Sequence, residues 1–138
     1  MIIRRIPMNA LQQGVYSILT EKQEGDDVFP VYDDVPEGAS LPYVTIGAFT
    51  CKQTDNKMAD IKDISLQLHI WSEYNGKSEV NRIADDITGI LTAWPIDLSS
   101  SGFEVINQDV DFFEAFPEET AGYHGVVTFV STIQNLGV

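Results

Sequence analysis

The run Ile64-Ser65-Leu66-Gln67-Leu68-His69-Ile70-Trp71 alternates an aliphatic residue with a polar or ring-bearing one at every step. A period of two marks a β-strand whose faces meet different surroundings, so the aliphatic set is expected in a core and His69 and Trp71 on the other side. Asn75-Gly76 then reads as a turn. Beyond it, Val80, Ile83, Ala84, Ile87, Leu91 and Trp94 recur at helical spacing, with Glu79, Arg82, Asp85 and Asp86 on the opposite face and Pro95 as the stop. A strand feeding an amphipathic helix is therefore the centre from which the rest is read.

Working toward the N-terminus, Leu11, Val15, Ile18 and Leu19 share one face of a first helix. It is expected to be capped by Asn9 with Gln12 behind it and to end near Lys22. Residues 28–32 are apolar but broken by Pro30, as in an edge strand, and residues 33–38 form an acidic, Pro- and Gly-bearing turn. Residues 43–49 read as a short strand. Residues 50–63 are polar, mixed in charge and without periodicity, and are expected to be a long exposed loop, mobile until it meets a partner. Toward the C-terminus, residues 103–114 read as one strand with a bulge, because the apolar parity changes partway. Residues 117–122 turn, and residues 123–133 form a last strand with apolar residues on both faces at Val126, Val127, Phe129 and Val130.

That order predicts an α+β fold in one domain over residues 1–138. It has a mostly antiparallel sheet of four to five strands, two helices packed on one face, and residues 1–7 as an arm. The other face would keep Tyr43, His69, Trp71 and part of residues 123–131, and would need a partner. Trp71 reads equally as a helix contact or as an anchor for a neighbouring subunit.

The chain has 138 residues with 21 Asp and Glu against 8 Lys and Arg, a formal net charge of −13. Every Lys and Arg lies at or before Arg82, so the C-terminal part is purely acidic. Such a field repels nucleic-acid backbone and anionic membrane, which disfavours phosphate-neutralising binders. Cys51 is the single cysteine, so no disulfide within the chain is expected and a reducing cytoplasm suits it. The N-terminal residues do not read as a signal peptide, and no apolar run has the length of a membrane span.

Chemistry-bearing motifs are sparse. No glycine-rich phosphate loop and no Gly-x-Ser-x-Gly elbow occurs. His69, His124 and Cys51 lack the close spacing of metal ligands, and Asp109, Asp111 and Glu114 lack the periodicity of a calcium loop. No catalytic residue, metal or cofactor is therefore expected, and the chain reads as something other than an enzyme.

Two stretches resemble the tail completion or tail terminator proteins of long-tailed bacteriophages and prophages. One is Val31-Tyr32-Asp33-Asp34-Val35-Pro36-Glu37-Gly38-Ala39-Ser40-Leu41-Pro42-Tyr43-Val44. The other is Leu66-Gln67-Leu68-His69-Ile70-Trp71-Ser72, followed by Gly76, Glu79 and Ile83-Ala84. The resemblance implies a structural virion protein, assembled in the bacterial cytoplasm. It would form a ring, commonly of six copies, that caps the tail tube at its head-proximal end and forms the head-tail joining interface. Its partners would be copies of itself, the tail tube protein and the head connector, with DNA passing through unbound and no membrane involved. On that reading Phe49, Lys52, Asp55, Lys57, Met58, Ile61, Trp71 and Tyr123 are candidate interface residues, and Glu104, Asp109 and Asp111 a candidate acidic lining of the bore. The alternative is a small non-catalytic binding module that uses the bare sheet face for a protein or ligand.

Overall fold

The computed structural model describes residues 2–137. The chain runs α1 (Met8–Glu21), β1 (Val31–Tyr32), β2 (Tyr43–Gln53), β3 (Asp60–Ser72), α2 (Ser78–Ala93), a 3-10 turn (Ser99–Ser101), β4 (Phe103–Pro117) and β5 (Tyr123–Asn135). The strands form one sheet in the order β1-β2-β3-β5-β4, antiparallel throughout except where β1 meets β2. This is the α+β arrangement that the element order implies.

Strand β3 is central because both of its edges are paired, to β2 and along its whole length to β5. Its aliphatic residues Ile64, Leu66, Leu68 and Ile70 are buried, and Val127 and Phe129 of β5 extend that surface. Helix α2 lays Val80, Ile83, Ile87 and Leu91 on it, while α1 adds Leu11, Val15 and Leu19 to the same core. A Cβ on Gly125 would lie 2.4 Å from a Val80 methyl, so glycine there sets how closely α2 approaches the sheet. At the turn before β5, Gly122 has φ +83 and sits against the Ser72 carbonyl, a place no side chain could occupy.

Two half-buried amides close the helix ends. Gln108 of β4 donates to the carbonyls of Leu91 and Trp94 at 2.7 and 2.8 Å and accepts from the Ile96 N–H, which satisfies the end of α2 before Pro95. Gln23 donates to the Leu19 and Phe29 carbonyls and accepts from the Phe29 N–H, which fixes the exit of α1. The start of α1 differs from expectation. Pro7 occupies the cap position, its carbonyl accepting the Leu11 N–H at 2.9 Å, and Asn9 lies inside the first turn without capping.

The expected loop over residues 50–63 is mostly strand. Residues 50–53 continue β2 and residues 60–63 begin β3, which leaves a connection of residues 54–59. The period-two signal is masked because the inward positions at this end are charged. Asp60 and Lys62 are 2% and 7% exposed and lie on the helix side of β3. Asp60 accepts from the Lys62 ammonium, the Arg5 N–H at 2.8 Å and Asn135 at 3.1 Å, and pairs with Arg4 at 3.3 Å. Lys62 also donates to Gln53 at 2.7 Å. Burial alone would push the Asp60 carboxyl up, but the bonds from Lys62, the Arg5 backbone and Asn135 outweigh it and lower its pKa to about 2. The N-terminal arm therefore docks on its own subunit through this carboxylate, and Arg5 also lies 4.2 Å over the Phe103 ring. Met1 lies outside the described residues.

Strand β4 contains two register shifts, between Val105 and Asn107 and between Val110 and Phe112, where the sequence led us to expect one. Each advances the parity by one, which is why apolar residues on β4 follow no simple alternation.

Candidate functional site

Among the described residues no helix covers the second face of the sheet. On β3 it carries Ile61, Asp63, Ser65, Gln67, His69 and Trp71, opposite Gln134, Thr132, Val130, Thr128, Val126 and His124 of β5. The flanking strands add Tyr43, Thr45, Thr50 and Lys52 from β2, and Glu104, Asn107, Asp109, Phe112, Glu114 and Phe116 from β4. All of these follow from strand parity once the covered face is known.

The two ends of this open face differ in character. At one end the Trp71 ring stacks on His124 at 3.9 Å between centroids, and Phe116 lies 4.8 Å from the same imidazole. His69 Nδ1 and His124 Nε2 are 2.7 Å apart, and His124 Nδ1 lies 2.9 Å from a Glu118 carboxylate oxygen. The Trp71 indole N–H donates to the Thr45 hydroxyl at 3.0 Å. Gly47 leaves room for the His69 ring, which a Cβ would meet at 2.4 Å. Burial and the neighbouring His124 both lower the His69 pKa. The groups form a chain of contacts, carboxylate to imidazole to imidazole, instead of converging on one point. Among the described residues no group of three His, Cys, Asp or Glu could hold a metal ion. With His124 and Val126 buried, this end of the face is covered by its own side chains.

The opposite end, near the connection between β2 and β3, is polar and open. A shallow depression of about 400 Å³ there is lined by Thr50, Lys52, Asp63, Ser65, Asn107 and Thr132 among others. Two other hollows lie at the helix surfaces. One of about 480 Å³ beside α1 is lined by Gln12, Tyr16 and Asp33, and one of about 390 Å³ beside α2 by Asp27, Asp85, Asp86 and Trp94, which Lys22 overlies at 4.3 Å. Neither gathers a nucleophile with a base in the pattern of a catalytic set.

The eight candidate interface residues fall into two groups. Lys52 and Ile61 lie on the open face near residues 54–59, which hold Asp55, Lys57 and Met58, the last 90% exposed. Phe49 lies opposite Leu66, midway along β3, and on the helix side of β2, half exposed. Trp71 belongs to the ring cluster about 33 Å away, ten residues along β3. Tyr123 lies on the helix side, packed against the core. Of the three candidate acids, Glu104 and Asp109 share the open face and Asp111 sits in the second bulge of β4. Sequence reading left the exposed apolar residues of β4, Ile106, Phe112, Phe113 and Phe116, out of the candidate interface set. The signal was present in apolar neighbours of both parities within one strand.

Residues 13–134 match the family described as Tail completion protein gp17. The chain belongs to this family. Membership makes it a phage tail structural protein and a component of the virion. Among solved structures, a chain in the virion of a native gene transfer agent (GTA) particle is similar, with 20% identity, 92% of this chain and 96% of that chain covered, and a TM-score of 0.79. At that identity the likeness concerns the fold. No curated protein matches the sequence.

Proposed function

We propose that copies of this tail completion protein close into a ring, six in the reading that the resemblance implies. The ring caps the tail tube at its head-proximal end and offers the head connector its docking surface. The role is structural, with no reaction catalysed. The observation that carries this reading is the sheet itself: one face is layered by helices and supports the fold, whereas the other is left without a layer in a family that works in assemblies. Helices would then face outward and the open face toward the bore, where Glu104 and Asp109, with Asp111 beside them, would keep exiting DNA from adsorbing.

Mass measurement over a range of concentrations, with and without the tail tube protein, tests the ring. A defined higher oligomer in either condition is expected. A monomer or dimer in both, which still retains a ligand or host protein, would favour the binding-module reading instead. For the bore, replacing Glu104, Asp109 and Asp111 with Lys is expected to slow DNA ejection, and unchanged ejection would remove that role.

A further inference from the structure

The sheet has two unfinished edges, and they are unlike each other. Strand β4 spans 15 residues at the border of the sheet and is paired only on its β5 side. Strand β2 is paired on its outer side only at Val44 and Thr45, where two-residue β1 lies. Its residues 47–53 therefore have no strand beyond them among the described residues. A free edge of this length is a template for another strand, and both edges carry exposed apolar residues, Ile106 and Phe112 on one and Phe49 on the other.

Charge decides which strand each edge accepts. From Phe103 to Pro117, β4 carries Glu104, Asp109, Asp111 and Glu114 and no Lys or Arg, so two β4 edges would bring like charges together. Residues 47–53 carry Lys52 and no acid. Among the described residues Lys52 takes part in no ion pair, and it lies on the same open face as Glu104 and Asp109.

We infer that β4 of one copy pairs antiparallel with residues 47–53 of β2 in the next, so that the sheet runs on from subunit to subunit. This rests on the ring reading above and deepens it. Direction agrees, because β2 and β5 run one way and β3 and β4 the other. Laid side by side with strands kept upright, β4 and the next β2 are antiparallel. Level agrees too. Lys52 is opposite Asp63, Asp63 opposite Thr132, and Thr132 opposite Asn107, so Lys52 stands at the height of Asn107, between Glu104 and Asp109. β1 meets β2 at Val44 and Thr45, below this stretch. Because each edge meets a different edge, the contact is head to tail and closes into a ring when the rotation allows.

Cysteine pairs test this in the full-length chain with Cys51→Ser. Thr50→Cys, exposed on β2, is combined in turn with Glu104→Cys, Asp109→Cys or Glu114→Cys, which spans slips of register. Oxidation of at least one pair is expected to give a covalent ladder beyond the dimer that neither single cysteine gives. Covalent dimers from a β4 cysteine alone would mean β4 meets β4, and would overturn the inference. So would a defined oligomer by mass that yields no ladder from any pair, although the ring reading would survive. A chain that stays monomeric with and without tail tube protein would remove both. As a second measure, Lys52→Glu is expected to weaken self-association about tenfold, and adding Asp109→Lys to restore it. No change from Lys52→Glu would count against the charge argument.

Discussion

Leu68 and Gln67 are neighbours in the chain and belong to different proteins in all but name. Leu68 is sealed under α2 with Ile70, Val127 and Phe129, whereas Gln67 looks out on Ser65, Thr128 and other small polar groups. One side of the sheet is specified by volume and hydrophobicity, the other by hydrogen bonding, charge and a cluster of rings at one end. A sheet with such unlike sides separates two tasks. Folding is driven by the covered side, and the open side is left to satisfy other requirements.

The sharpest way to break that comparison is to cut matched residues on the two sides. Phe129→Ala removes a fully buried ring from the centre of β5 and is expected to cost about 4 kcal/mol in denaturant unfolding. Thr128→Ala, one residue away on the open side, is expected to change stability by less than about 0.5 kcal/mol. Similar losses at both positions would mean the open side is also a core.

Next in size is the charged end of the covered side. Asp60→Ala leaves the Lys62 ammonium buried without its carboxylate and is expected to cost about 3 kcal/mol and to free the arm from β3. Wild-type stability should carry the same signature in acid. The Asp60 pKa is about 2 in the folded chain against 3.8 for the ordinary group, so its contribution is complete above the higher value and is lost as pH falls through the lower. Thermal melts between pH 5 and 2 should show a fall that Asp60→Asn flattens. An unchanged acid slope in that variant would assign the titration to other carboxylates.

These two regions also explain what the sequence could and could not disclose. At residues 64–71 the inward positions are aliphatic, and alternation alone gave strand, face and core. At residues 60–63 the same alternation continues, but inward Asp60 and Lys62 read as surface residues until their partners are known. Arg5 and Asn135 lie 55 and 75 residues away. A strand whose buried positions are paired charges is invisible to any pattern of hydrophobicity. The open side was legible in outline, since Tyr43, His69 and Trp71 were expected there. The link from Trp71 through His124 to Glu118 depends on register between strands that local sequence does not encode. The long edge of β4 was hidden by its bulges, which spread exposed aromatics over both parities.

The smallest expected effect bears on the ring end of the open side, which behaves partly like covered surface. His69 lies against Trp71 and His124, over Gly47, with Glu118 one hydrogen bond further along the chain of contacts. Its pKa is lowered by burial and by His124, so protonation is harder in the folded chain than in the unfolded one. The stabilisation is therefore present above the ordinary value of 6.5 and declines as pH falls below it. Urea midpoints at pH 7.5 and 5.5 should differ in the wild type and converge in His69→Gln, with a shift smaller than either loss described above. A matched replacement at the other end, Thr50→Val, should leave the slope untouched, because no imidazole lies there. If both variants kept the wild-type slope, the ring cluster would be as open to solvent as the rest of the face. The division of that face into a self-covered end and an open polar end would then be lost.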